Sequence, residues 1–210
     1  MNLTTLLAAG IADLGTAVPP ATQTRLLQYL ALIQKWNRVH NLTALREPET
    51  MLVRHVLDSL SILPHITGLR VADVGSGAGL PGIPLALARP ECRVVLIESI
   101  HKKAVFLHQA RIELKLENIE VAAERVEHYH PATPFDSVVS RAFSDLSDFV
   151  RLAGHLCAAG NGGGRLLAMK GLYPHEELAQ LPAEFVVEKV LPVAVPGLGS
   201  ERHLVVIKRA

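Results

Sequence analysis

The residues best suited to chemistry form one short run, Val71-Ala72-Asp73-Val74-Gly75-Ser76-Gly77-Ala78-Gly79-Leu80-Pro81-Gly82. Glycine is needed where the backbone takes positive φ or passes close to a ligand. Amides at a helix start then favour a polar or anionic group. A bare strand-to-helix turn does not require Gly75, Gly77 and Gly79 at alternate positions, so the run reads as a ligand loop. Pro81 can begin the helix behind it.

The glycines alone leave the ligand open. A dinucleotide fingerprint, Gly-x-Gly-x-x-Gly, fails from Gly75, because Leu80 stands in its last place, but fits through Gly77, Gly79 and Gly82. Two carboxylates favour another ligand. Asp73 ends the first strand near the place of a pyrophosphate and suits an ammonium group instead. Glu98 ends the second strand, where ribose hydroxyls are contacted. S-adenosylmethionine has both features and no phosphate, so methyl transfer is favoured over hydride transfer.

The elements that must position these groups follow from periodicity. Residues 1–66 read as helices, with Leu3, Leu6, Leu7, Ile11 and Leu14 on one face, and Leu26, Leu27, Leu30, Ile33 and Trp36 on the next. Thr22 or Thr24 is the expected cap of that second helix. A third helical pattern runs from Met51 to Pro64. From residue 69, short apolar runs at 70–74, 93–98, 119–122, 135–140 and 165–170 alternate with helical segments such as 102–116 and 145–158. That alternation predicts a parallel sheet with helices on both faces. Runs at 185–190 and 204–207, joined through Pro196-Gly197-Leu198-Gly199, add an antiparallel terminal hairpin, for seven strands in all. The expected domains are a helical subdomain at 1–66 and a cofactor-binding domain at 67–210. Asn161-Gly162-Gly163-Gly164 reads as a flexible loop.

Composition narrows the class. The chain has 210 residues, 49% hydrophobic and 20% charged, with 21 basic against 20 acidic side chains. This is globular and excludes a polybasic coat, but not a local basic patch. Aromatic residues are 4%, which argues against an open base-stacking platform. Cys92 and Cys157 are isolated, so neither a disulfide framework nor a thiolate zinc site is expected, and a reducing cytoplasm suits them. No run is long enough for a membrane span. His128 and His130 read as surface histidines, and Trp36 as a core residue.

Several basic residues fit the rim of a crevice. Arg141, at the carboxyl end of the fourth strand, faces the place where open α/β sheets bind ligands. There it can engage cofactor or clamp a phosphate or a guanine edge. Lys102 and Lys103 open a helix, against its macrodipole by about 0.3–1 kcal/mol each, which hints at a phosphate partner. Arg125, Arg202 and His203 complete the expected RNA-facing rim.

Asp-x-Gly-x-Gly-x-Gly after a first strand, an acid closing the second and a terminal hairpin resemble the class I methyltransferases. Lys35-Trp36-Asn37-Arg38-Val39-His40-Asn41-Leu42-Thr43, Arg54-His55-Val56-Leu57-Asp58-Ser59-Leu60 and the Gly-Leu-Pro-Gly-Ile-Pro run from Gly79 are similar to the RsmG (GidB) family. Ser140-Arg141-Ala142 and Glu201-Arg202-His203-Leu204 extend the match. These are bacterial small-subunit rRNA guanine-N7 methyltransferases. The resemblance implies a Rossmann-like, mostly parallel seven-stranded sheet, S-adenosylmethionine as cofactor (S-adenosylhomocysteine as product), and one guanosine of 16S rRNA as acceptor. It also implies cofactor contacts at Gly75, Leu80, Val126, Glu127 and Arg141, beside Asp73, Gly77, Gly79 and Glu98 from the loop. The expected partner is 16S rRNA, the small subunit or its precursor, met by a cytoplasmic monomer.

The acceptor can be weighed separately. The Asn/Asp-Pro-Pro-aromatic turn common to adenine amine methylation is replaced by Ser140-Arg141-Ala142-Phe143. Neither cysteine follows a strand as a pyrimidine-activating nucleophile would. No metal constellation stands out. Guanine N7 has an in-plane lone pair and no proton, so it needs placement rather than a base. A small-molecule methyltransferase and a cofactor-binding assembly factor remain as alternatives.

Overall fold

The computed structural model describes residues 2–141, 143, 145–158 and 163–210. Ala142 and the Asn161-Gly162 part of the expected flexible loop therefore lie outside the described residues.

Helix α1, Leu3–Asp13, starts on Asn2, whose Oδ1 accepts the Thr4 amide at 3.0 Å. Helix α2, Pro20–His40, begins earlier than expected, because Pro19 and Pro20 pre-set the helical entry and need no amide acceptor. Thr22 and Thr24 are thus not caps, and the Thr24 hydroxyl donates to the Pro20 carbonyl at 3.1 Å. Asn41, at φ 47°, ends the helix in the left-handed region.

The third helical pattern is not one regular helix. It comprises α3, Pro48–Met51, a π-helical turn, Leu52–Leu57, and α4, Asp58–Leu60, and a 3₁₀ turn, Leu63–His65, follows. In the π turn the Asp58 amide donates back to the Val53 carbonyl, one residue further than in an α-helix.

The sheet has seven strands in the order β3-β2-β1-β4-β5-β7-β6. They are β1, Arg70–Val74; β2, Arg93–Ile97; β3, Ile119–Ala122; β4, Ser137–Ser140; β5, Arg165–Lys170; β6, Phe185–Pro192; and β7, His203–Arg209. The first five run parallel, while β7 lies antiparallel between β5 and β6. Helices α5, Gly82–Ala88, α6, His101–Glu113, and α7, Leu146–Ala153, cross between strands, and α8, His175–Ala179, precedes the hairpin. Helix α5 starts one residue beyond Pro81, which sits at the cap.

Side-chain alternation splits the core into two layers. Val71, Val94, Leu96, Val139, Leu167 and Val206 face α1, α2, the π turn, α5 and α6. Ala72, Val95, Val138, Leu166 and Val205 face Leu146, Phe149 and Val150 of α7. The chain order reverses between β1 and β4, and that switch point opens a crevice at their carboxyl ends.

Candidate functional site

The loop after β1 needs its glycines for two different reasons. Gly75, Gly77 and Gly79 all have positive φ, at 69°, 59° and 87°. A Cβ on Gly79 would strike Ile83, and one on Gly82 would lie 2.7 Å from Asp73 Oδ2, so these two allow helix and strand to close up. A Cβ on Gly75 would meet nothing within 4 Å, and one on Gly77 only a backbone oxygen at 3.9 Å. Bare backbone at Gly75 and Gly77 therefore faces open space where a ligand can approach.

Two carboxylates hold this loop from below. Asp73 is fully buried, and its Oδ2 accepts the Gly82 amide at 2.8 Å. Its Oδ1 has no protein partner among the described residues. Burial pushes Asp73 up to about 7, against the opposing pull of the Gly82 amide and the Arg141 charge. Glu98 follows β2 and bridges two segments, its Oε2 accepting from Gly77 and its Oε1 from Ile100, both at 2.8 Å. Above, the Tyr29 hydroxyl of α2 donates to the Ala78 carbonyl at 2.6 Å. Leu80 is buried in the core under the loop.

Gly75 and Glu98 share a cavity of about 230 Å³ with Arg125, Val126, Glu127, Phe143 and Leu152. Among the expected cofactor residues, Asp73, Gly77, Gly79 and Leu80 belong to the adjoining strand end and loop, and Arg141 bonds instead to Arg54 and Asp58. Gly75, Glu98, Val126 and Glu127 line the cavity itself. Arg125 lies with this set, paired to Glu127 at 3.2 Å, and not beside Arg202. The donor set fits S-adenosylmethionine: apolar Val126, Phe143 and Leu152 suit an adenine, Glu98 a ribose, and the buried acid Asp73 a cation. A larger cavity, about 730 Å³, lies at the opposite, amino-terminal edge of the sheet, lined by His65, Thr67, Asp136, Arg165, Glu188 and Lys189. There Arg165 is ion-paired to Glu188, and Asp136 binds the Leu69 and Arg70 amides. Open sheets of this kind bind ligands at the carboxyl edge, which makes the smaller cavity the candidate site.

Arg141 and Arg202 meet on a residue that sequence reasoning did not single out. Arg202 Nε donates to Asp58 Oδ1 at 2.7 Å, and its Nη2 to Oδ2 at 3.4 Å. Arg141 Nη1 lies 3.4 Å from the same Oδ2 and donates to the Arg54 carbonyl at 2.8 Å. The Asp58 side chain is 1% exposed, those of Arg202 and Arg141 19% and 23%. One carboxylate facing two guanidinium groups leaves a net positive charge. The sequence signal was a lone acid within an apolar run, and the π turn carries it to this position. Nearby, burial lowers His55 to about 4, with Nε2 at 3.1 Å from Thr43 Oγ1 and Nδ1 unpartnered among the described residues.

The other expected RNA residues are separate. His203 Nδ1 lies 3.0 Å from the Gly171 carbonyl, with its ring edge-on to Tyr173. Lys102 is exposed and Lys103 half-buried in the first turn of α6. Trp36 packs on His40 and Phe106, as a core residue should. Cys157 is buried, with its thiol pushed up to about 12, which makes it inert as a nucleophile.

Comparison with known proteins identifies the family and the fold. The family described as rRNA small subunit methyltransferase G matches residues 22–205. The chain is 68% identical to the ribosomal RNA small subunit methyltransferase G of Nitrosospira multiformis, covering 100% of this chain and 99% of that one. The protein of the same name from Nitrosomonas eutropha is 57% identical over 88% and 86% of the two chains. Among solved structures, the SAM-bound O-methyltransferase TomG of Streptomyces achromogenes aligns with a TM-score of 0.59 at 16% identity, over 100% and 99% of the chains. TrmN of Thermus thermophilus aligns at 0.58 and 19% identity, over 90% of this chain and 53% of that one. These structural likenesses show a class I methyltransferase fold.

Proposed function

Because the chain belongs to the rRNA small subunit methyltransferase G family, we propose that it methylates N7 of one guanosine in 16S rRNA. The chain is an S-adenosylmethionine-dependent methyltransferase of ribosomal RNA. The cofactor, when bound, supplies an electrophilic methyl group on a cationic sulfur. Gly75 and Gly77 would present bare backbone to it, and Glu98 would accept from its hydroxyls. Asp73, with Oδ1 unpartnered among the described residues, would ionise as the cation binds beside it. Val126 and Glu127 shape the wall, while Gly79 and Leu80 support the loop from the core side.

The observation that carries the acceptor reading is the arginine pair on Asp58. It puts net positive charge at the carboxyl edge of the sheet and leaves the Nε and Nη2 of Arg141 as a donor fork, suited to RNA phosphates or a guanine O6. A neutral metabolite needs no such charge. N7 offers its lone pair without losing a proton, so placement suffices. Residues 1–66 act as the part that grips RNA, with Lys102, Lys103, Arg202 and His203 on the rim. The protein works as a cytoplasmic monomer on the small subunit or its precursor. No helix among the described residues is long and apolar enough to cross a membrane.

The deciding experiment is mass spectrometry of 16S rRNA from cells lacking the protein. One 7-methylguanosine should disappear and return when the wild-type chain is restored. If no modified guanine is lost, the reading is abandoned.

A further inference from the structure

We propose that the carboxyl-terminal half of α2 and the first turns of α6 form one RNA-backbone-binding surface, carried by Lys35, Arg38, His40, Lys102 and Lys103. This rests on ribosomal RNA being the substrate, and it joins Lys102 and Lys103 to three cations of α2 as a contact region apart from the arginine pair on Asp58.

Sequence and packing point to it independently. Between Asp13 and Glu47 the chain has no carboxylate, and none occurs between Glu98 and Glu113. With 20 acids in 210 residues, the longer of these gaps would be expected to hold about three, so α2 is depleted of acid. Two anchors set the helices side by side. Arg25, near the start of α2, donates to the Leu114 carbonyl at the end of α6 at 2.6 Å. Trp36, late in α2, meets Phe106, midway along α6, with ring centroids 5.5 Å apart. The helices are therefore antiparallel, and the last turn of α2 comes alongside the first turn of α6.

That juxtaposition gathers cations from two distant parts of the chain. Lys35, Arg38, His40 and Lys102 are exposed, and among the described residues none of these or Lys103 is in a salt bridge. Arg38 and His40 favour the carboxyl end of α2, whereas Lys102 and Lys103 oppose the amino end of α6. Such a cluster, on helix segments that carry no carboxylate from Pro20 to His40 or from His101 to Ile112, is complementary to a polyanion. The surface also borders the cofactor site, because Glu98 binds the Ile100 amide just ahead of α6 and Tyr29 of α2 binds Ala78. RNA lying across α2 and α6 would thus approach the crevice from the side opposite β7.

The test is binding of 16S rRNA transcribed in vitro, measured as KCl rises from about 50 to 200 mM. Each lost phosphate contact should flatten the plot of log affinity against log salt by about 0.7 on single strands and about 0.9 on duplex. K35Q/R38Q should therefore flatten it by about 1.4–1.8, and K102Q/K103Q by a similar amount. S-adenosylmethionine affinity and melting temperature should not change in either variant. Wild-type slopes in both would overturn the proposal, as would a lowered melting temperature with the slope kept, which is a purely structural role. A loss seen only on assembled 30S particles would assign the surface to a protein partner and also overturn it. If the wild-type chain neither binds nor methylates transcript or particle, the parent reading falls with it. Binding by wild type with unaltered variants removes this surface alone.

Discussion

Asp58 and Arg202 stand 144 positions apart in the chain and 2.7 Å apart in space. The carboxylate also faces Arg141, so one side chain from the helical part holds groups from the carboxyl end of β4 and the entry to β7. Buried and shared between two arginines, Asp58 couples the stability of the fold to the charge displayed at the crevice.

Removing that carboxylate should be costly. Breaking a buried ion pair by deleting one partner costs about 3–5 kcal/mol, and the lower end applies because both guanidinium heads reach solvent. D58N should therefore lower the urea midpoint by an amount equivalent to about 3 kcal/mol, with an unchanged denaturant slope. A D58N/R202Q cycle should show a coupling of about 1 kcal/mol or more. An unmoved midpoint would mean that Asp58 does not tie the two parts together.

Glu98 has two duties, and a substitution should expose both. In E98Q one acceptor oxygen becomes a donor facing a backbone amide, so the loop loses the Gly77 or the Ile100 hydrogen bond. Hydrogen bonds to a charged group contribute about 1.5–3 kcal/mol, so cofactor affinity should fall roughly 10- to 100-fold by calorimetry. A folded E98Q chain that binds S-adenosylmethionine like wild type would remove Glu98 from the site.

Two buried groups should impose opposite pH dependence on stability. Asp73 stays protonated up to about 7 in the fold, well above its unfolded range, so its contribution is lost as pH rises from about 4 to 7. His55 is held near 4, below its unfolded value of about 6.5, so its contribution is lost as pH falls through that window. In the wild type the two oppose each other. Melting temperature should rise with pH over about 4.5–6.5 in D73N, relative to wild type, and fall with pH in H55Q. Profiles parallel to wild type in both variants would contradict these assignments.

The chemical step should be nearly independent of pH. Single-turnover rates at saturating enzyme and cofactor, from about pH 6 to 9 at constant salt, separate chemistry from binding. An acceptor with a free lone pair gives a flat profile. A rise of one log unit per pH unit that levels near 7 and vanishes in D73N would mean that Asp73 takes a proton. The N7 reading would then fail.

Much of this was legible because its causes are local. The bounds of β1, β3 and β5 match the apolar runs to the residue, with Gly75 after the first, Asn118 before the second, and Gly164 and Gly171 on either side of the third. The glycine loop was legible for the same reason: positive φ is a property of single positions. Strand β4 starts two residues later than its apolar run, because Phe135 makes only an isolated bridge to Cys157. Strands β6 and β7 run longer than their apolar cores, because backbone pairing continues through Arg209 and Pro192. What stayed hidden is where long side chains end. Nothing near Arg141 or Arg202 in sequence indicates that both turn toward Asp58, and hydropathy does not separate a π turn from an α turn.

That π turn makes the spacing between Leu52 and Leu57 a setting of angular phase. Each residue of an α-helix advances the chain by about 100° around its axis. Because the wide turn takes in one residue more than an α turn, tightening it to α-helical winding at the same length would swing Asp58 by about 100°, more than a quarter-turn, off its arginines. Loss of one residue as well would bring it back. Point substitutions that keep the length can repack. A substitution that forces α-helical winding at full length cannot, so this segment should reject tightening of its turn and tolerate the loss of one residue better than the gain of one.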